Sequence, residues 1–112
     1  MKYHEVAKRD RAEIELLLSK GDITDVQDAL LSAAYYDLDW KWVQEQCLTF
    51  LAHRDCSTRR LSAICLGHIA RIHKQLDLEV VLARLAELKN DPEIGGSVQD
   101  ALDDIRFYLR FQ

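Results

Sequence analysis

The sequence predicts an all-α protein of six helices arranged as three helix pairs, and three observations carry that reading. Turn-forming residues are scarce: four Gly and one Pro in 112 residues, where the two together make up roughly 12% of an average chain. Apolar residues recur at intervals of three and four along most of the chain, the spacing of one helix face. The pentapeptide Val-Gln-Asp-Ala-Leu occurs twice, at 26–30 and at 98–102. A β-sandwich or barrel needs a turn signal about every 8–12 residues, and the chain holds no Asn-Gly or Asp-Gly pair. All-β is excluded and α/β is disfavoured.

Each helix has its own start and stop. Ala12 to Ser19 carries Ile14, Leu16, Leu17 and Leu18 and closes at Lys20-Gly21, a cation followed by a terminal glycine. Thr24 opens the second helix, with Gln27 completing a capping box, and Val26, Ala29, Leu30 and Ala33 point inward until Tyr36-Asp37. Asp39 caps the third, whose inward face is Val43, Cys47, Leu48 and Leu51. Ser57 caps the fourth, where Leu61, Ile64, Cys65, Leu66, Ile69 and Ile72 make a stripe wide enough for two sides to be covered. Asp77 caps the fifth through Val81, Leu82, Leu85 and Leu88, and Asn90-Asp91-Pro92 breaks it. The last runs from Ile94 or Ser97 to Leu109, with Val98, Ala101, Leu102, Ile105 and Leu109 inward.

The two copies of the pentapeptide lie 72 positions apart, and half that distance lands inside the fourth helix. A period of 36 aligns Ala29-Leu30 with Cys65-Leu66 and Ala101-Leu102, and Ala33 with Ile69 and Ile105. Each unit is thus a helix pair whose second helix carries a small residue followed by Leu. A small residue at a fixed place lets the neighbouring helix approach closely, so the three pairs are expected to be equivalently buried.

Helix pairs of this period, with an Asp turn after Leu48/Leu51 (Asp55, then Ala63-Cys65-Leu66-Ile69) and an Asp-Pro turn after Leu85/Leu88 (Asp91-Pro92, then Ala101-Leu102-Ile105), resemble HEAT-like α-solenoids over about residues 12 to 110. The resemblance implies a right-handed α-α superhelix of about three pairs, one HEAT-like domain over residues 1–112, with the second helices lining a concave partner-binding face. Gly95-Gly96 departs from the family pattern, which prefers good helix formers there.

Most chemistries find no support. The longest apolar runs are about four residues, too short for a bilayer. Met1-Lys2-Tyr3-His4-Glu5 has no apolar stretch behind it, so no secretory signal is expected. Cys47, Cys56 and Cys65 form an odd set without a CxxC pair, which suits free thiols in a reducing cytoplasm. Cys65 and His68 share a helical face, but Cys65 falls at the core register, so packing is expected over metal ligation. No HExxH, no Gly-x-Ser-x-Gly and no phosphate-binding glycine loop occurs. No enzyme activity, cofactor or metal is expected. The net charge of −4 argues against direct nucleic-acid binding.

The second helices point to a protein partner instead. The stripe beside the core register gives Asp28, Ser32 and Tyr35, then Ile64, His68 and Arg71, then Asp100, Asp104 and Phe107. Side by side these form one patch, acidic and aromatic at its ends and mildly basic in the middle. The densest signal adjoins it: Tyr35, Tyr36, Trp40 and Trp42, four of nine aromatics, fall within eight residues around Asp37 and Asp39. Large rigid rings beside charge are hot-spot material. Trp42 is expected in the core, leaving Tyr35, Tyr36 and Trp40 free for the partner, with Asp37 and Asp39 reversible without harm to the fold. Arg59-Arg60 sits in a first helical turn, where the dipole disfavours cations, so an Asp or a partner should compensate.

Small acidic bacterial proteins of this design resemble immunity proteins of toxin–immunity systems, contact-dependent inhibition and polymorphic toxins among them. That resemblance implies a cytoplasmic inhibitor, a monomer or one half of a 1:1 complex, that binds a cognate secreted toxin stoichiometrically. The toxin would be a cationic nuclease domain met by the acidic aromatic patch. The alternative is a small HEAT-repeat scaffold or adaptor for another protein.

Overall fold

A computed structural model describes residues 5–110; Met1 to His4, where the absence of a leader was read, and residues 111–112 lie outside them. Six helices follow in order: α1 (Arg11–Lys20), α2 (Ile23–Tyr36), α3 (Trp40–Phe50), α4 (Cys56–His73), α5 (Leu78–Leu88) and α6 (Gly95–Leu109). No strand occurs among the described residues. The fold is all-α, as the composition and periodicity predict.

Aspartates start most of the helices, in two cases displacing the expected cap. The second helix begins two residues earlier than expected: Asp22, not Thr24, is its N-cap, and Asp22 and Asp25 form the capping box. Gln27 reaches instead across to α4, donating to Ser57 Oγ and Thr58 Oγ1, each at 3.2 Å. Asp55, not Ser57, caps α4, accepting from Thr58 N at 2.9 Å and from the Ser57 hydroxyl at 2.8 Å. A carboxylate outcompetes a hydroxyl here because it is charged and acceptor-only. Those donors, Ser57 first, hold the Asp55 carboxyl below the usual range. Asp77 does stand at the N-cap of α5 but makes no capping bond. Its carboxylate accepts from Gln44 Nε2 at 2.9 Å, and its N–H donates to Gln44 Oε1 at 2.7 Å. Gln44, buried in α3, thereby ties α3 to the connection between α4 and α5.

Gly21 ends α1 for a reason other than the expected one. Its φ is −75°, extended backbone open to any residue. A Cβ there would lie 2.5 Å from Asp25 Cβ and 2.6 Å from the Leu17 carbonyl oxygen, so the tight joint between α1 and α2 has no room for a side chain.

The second helices lie side by side and parallel, which the contacts fix residue by residue. Gln27 meets Thr58 and Leu30 meets Cys65; Tyr35 meets His68. Between α4 and α6, Gly67 meets Ala101 and Asp104, and Lys74 meets Tyr108. Partners therefore ascend together along both pairs. α4 occupies the centre, and Ser62, Ala63, Cys65, Leu66, Gly67, Ile69 and Ala70 are all buried. A Cβ on Gly67 would sit 3.1 Å from Asp104 Oδ2 and 3.6 Å from Ala101 Cα, so glycine sets the close approach of α4 and α6.

The repeat register holds at the small position and fails once at the Leu. Ala29, Leu30, Cys65, Leu66 and Ala101 are buried, as are Ala33, Ile69 and Ile105. Leu102 is only half-buried. α6 is last in the row of second helices, with α4 beside it and no further second helix beyond, so the position that Leu66 fills between helices is only partly covered at Leu102.

Two consequences are measurable. Replacing Leu66 by Ala should cost about 2–5 kcal/mol, the range for a buried Leu, and Leu102→Ala should cost distinctly less by thermal or denaturant unfolding. Asp22→Ala should cost about 1 kcal/mol while Thr24→Ala is close to neutral, because only the former removes a cap.

Candidate partner-binding surface

Two of the three predicted thirds of the surface come together. Between α4 and α6 a shallow groove of about 420 Å³ is lined by Ile64, Asp100, Ala101, Asp103 and Asp104. Asp100 and Asp104 are exposed, and Phe107, one turn beyond, is 64% exposed. At the far side of α4, Tyr35 meets His68 edge to face, with ring centroids 5.1 Å apart. Arg71 bridges them: its Nη2 lies 3.2 Å from His68 Nδ1 and its guanidinium 5.7 Å from the Tyr35 ring centre. Burial, then the Arg71 charge, pull His68 below the usual imidazole range, against the opposing pull of Asp104. A half-buried neutral imidazole thus sits between Tyr35 and the acidic groove.

The rest of the α2 third lies against the segment before α1. Ser32 is fully buried, its Oγ accepting from Arg9 N at 3.0 Å, and the Tyr36 hydroxyl donates to the Val6 carbonyl at 3.1 Å. Asp28 lies beside Glu5, Val6, Ala7 and Arg9. The segment before α1 therefore runs back over α2, and the nine-residue stripe is not one open patch. Helical periodicity carries no information about an extended segment, so this cover was not legible.

The aromatic loop is built differently from the expectation. Arg11 forks across it, Nε to Asp37 Oδ2 at 3.0 Å, Nη2 to Asp37 Oδ1 at 3.3 Å and Nη2 to Asp39 Oδ2 at 3.3 Å. The same guanidinium stacks 3.8 Å from the centre of the Trp42 ring. Burial pushes the Asp37 carboxyl up, but hydrogen bonds from Arg11 and the Asp39 N–H hold it below the usual range, helped by the charges of Arg11 and His73. Asp37 is an internal tie rather than a free charge. Trp40 and Trp42 are both half-buried against the core, so the division into one core and one free ring does not hold. Leu38, between the two tied aspartates, is 87% exposed. Its only sequence signal is an apolar residue stranded in a charged turn.

The other candidates resolve into packing and pairing. Cys47 and Cys65 are buried and adjacent; contact with Cys47, then burial, raise the Cys65 thiol well above its usual range. Cys56 is half-buried, and its sulfur accepts from Arg60 Nη1 at 2.9 Å. No three His, Cys, Asp or Glu side chains converge as a metal-ligand set among the described residues. The cation in the first turn of α4 is compensated within the chain: Arg59 pairs with Asp91 at 3.1 Å and Glu93 at 3.7 Å. Among the described residues no helix is long and apolar enough to cross a membrane.

Fold and surface together define a small all-α protein whose second helices present an acidic groove with an exposed Phe107 one turn beyond it. No protein-family model matches the chain, and no curated protein matches it. Among solved structures, a chain of a CDI complex from Cupriavidus taiwanensis LMG 19424 is 37% identical, with a TM-score of 0.88 over 96% of this chain and 97% of that one. The chain belongs to the same family as that CDI-complex component, in keeping with its resemblance to small immunity proteins of contact-dependent inhibition systems.

The geometry sets two pH responses. His68 is depressed when folded, so its contribution is complete above about pH 6.5 and declines as the pH falls toward its folded value. Melting temperature should drop between pH 7.5 and 5.5, and His68→Gln should flatten that drop. Asp37 is likewise depressed, so its tie to Arg11 stabilises above about pH 4 and is lost below. Asp37→Asn should lower the melting temperature at pH 7, with the gap to the native chain closing in acid.

Proposed function

We propose that this protein is a cytoplasmic immunity protein that neutralises a cognate toxin domain by non-enzymatic, stoichiometric binding through its second-helix face. The observation that carries this reading is kinship over nearly the whole chain with a component of a CDI complex, joined to a groove whose exposed groups are aspartates beside a bared Phe. The partner suited to Asp100, Asp103 and Asp104 is cationic, as a nuclease domain is, because such a domain must hold phosphates. The curvature that would make this face concave is that of a HEAT-like right-handed superhelix.

Within the surface the residues divide by what they can offer. Asp100 and Asp104 supply charge for steering, and Phe107 supplies apolar area that a partner can desolvate. Tyr35, His68 and Arg71 form the middle of the footprint, with Tyr36, Asp39 and Trp40 at its edge. Asp28 borders the footprint where the segment before α1 half-covers it, and Asp37 supports the fold beneath it through Arg11. An interface of standard size takes about 800 Å² from each partner, within reach of the groove and its flanks.

The test uses the C-terminal domain of the large secreted protein that the immunity reading expects to be encoded immediately upstream, purified and co-expressed with this chain. Asp100→Lys with Asp104→Lys should slow association at least tenfold and abolish protection of cells, with little change in helicity. Phe107→Ala should act on dissociation instead. Glu87 and Lys89, exposed at the end of α5 and its cap, are the silent controls. Native affinity should fall as salt rises. Binding indifferent to salt, or lost in the controls and kept in the reversals, rejects the reading.

A further inference from the structure

The groove end of the second-helix face is acidic, but its other end is not. Because α2, α4 and α6 run parallel, their C-terminal ends share one edge, and the repeat of 36 sets like positions beside each other there. Tyr35, Arg71 and Phe107 are one such set; Leu38, Lys74 and Arg110 are another. The edge therefore gathers Arg71, Lys74 and Arg110 among aromatic rings. Arg71 lies 5.7 Å from the Tyr35 ring centre, Lys74 Nζ 5.2 Å from that of Tyr108, and Arg110 5.9 Å from that of Phe107.

These cations differ from several others in the chain. Arg11, Arg59 and Arg84 are each ion-paired within the chain. Among the described residues Arg71, Lys74 and Arg110 make no ion pair; Lys74 Nζ donates to the Arg71 carbonyl at 2.8 Å, and Arg71 turns to His68. Lys74 and Arg110 also occupy the left-handed region, with φ of 57° and 52°, the only non-glycine residues among those described to do so. Glycine closes a helix in that conformation with less strain. The same strained choice of a long cation is thus made twice, one repeat apart, at exposed positions. A favourable dipole interaction accounts for some of it, yet a cation in the preceding turn would gain the same without the strain.

We propose, resting on the immunity reading above, that the face is two-signed: Arg71, Lys74 and Arg110 engage an acidic patch of the toxin domain while Asp100 and Asp104 engage a basic one. The two ends are continuous through His68, which faces Tyr35, Arg71 and Asp104, so one partner can span both. Opposite charges at opposite ends fix the orientation in which the partner docks and penalise the reversed one. A nucleic acid is the poorer fit, since its phosphates would meet the aspartates of the same face.

The test separates this from the parent reading. Lys74→Gly and Arg110→Gly, singly and combined, are titrated against the upstream-encoded toxin domain and melted by circular dichroism. The combined variant should bind at least tenfold more weakly while melting at or above the native temperature, and Lys74→Glu should bind more weakly still. Native affinity in the combined variant, with Asp100 and Asp104 reversals still harmful, overturns the two-signed face and leaves the immunity reading standing. A melting temperature that falls in step with affinity assigns the cations to helix termination and overturns it too. If the free chain retards a single-stranded oligonucleotide and the combined variant does not, the edge is a nucleic-acid site and the proposal fails. No complex between the native chain and the toxin domain overturns both.

Discussion

Everything in this molecule leans on the burial of α4. An eighteen-residue helix must pack against α2 on one side, α6 on the other and α3 behind, which only small side chains allow. Ser62, Ala63, Cys65, Gly67 and Ala70 supply that narrowness, and Leu66 and Ile69 supply the apolar volume between. At Gly67 α6 comes near enough that an added Cβ would press on Asp104. This contact has a functional side: Asp104 stands at the lip of the groove because glycine beneath it lets α6 come in. Core geometry and surface charge are set by the same residue.

A second constraint acts at the loop between α2 and α3. One guanidinium, Arg11, holds two aspartates and covers an indole. A charge so divided and stacked fixes a turn that would otherwise be loose, since its bonds restrain both Asp37 and Asp39. The consequence is that an exposed Leu38 is held out on an ordered support. The same economy appears at Arg59, which offsets an unfavourable helix-start position by pairing with the Asp91 that organises the start of α6, where Asp91 accepts from the Glu93 and Ile94 N–H groups.

Most of the fold was legible because helices announce themselves locally. Apolar spacing, acidic caps and a repeat of 36 residues locate all six elements, and the repeat pairs Leu30 with Leu66 and Ala33 with Ile69. Errors fell where two local signals competed. Thr24 and Ser57 are good caps, but an aspartate two residues upstream of each is better. The half-exposure of Leu102 is a failure of another kind: a repeat predicts its own interior and says nothing about being last in the row.

What the sequence determined by itself was therefore the class, the pairing of helices and the set of side chains available on the second-helix face, since each follows from periodicity along one chain. Tertiary structure alone decided which of those side chains are free. Ser32 is buried and Asp28 half-covered by the segment before α1, Asp37 is consumed by Arg11, and Lys74 and Arg110 gather at one edge because three helices run parallel. Each is a contact between residues some twenty or more positions apart, or a shared edge made by neighbouring helices. Helical spacing says which way a residue points. What stands opposite it depends on how the chain returns, and that is set by the packing of the whole core.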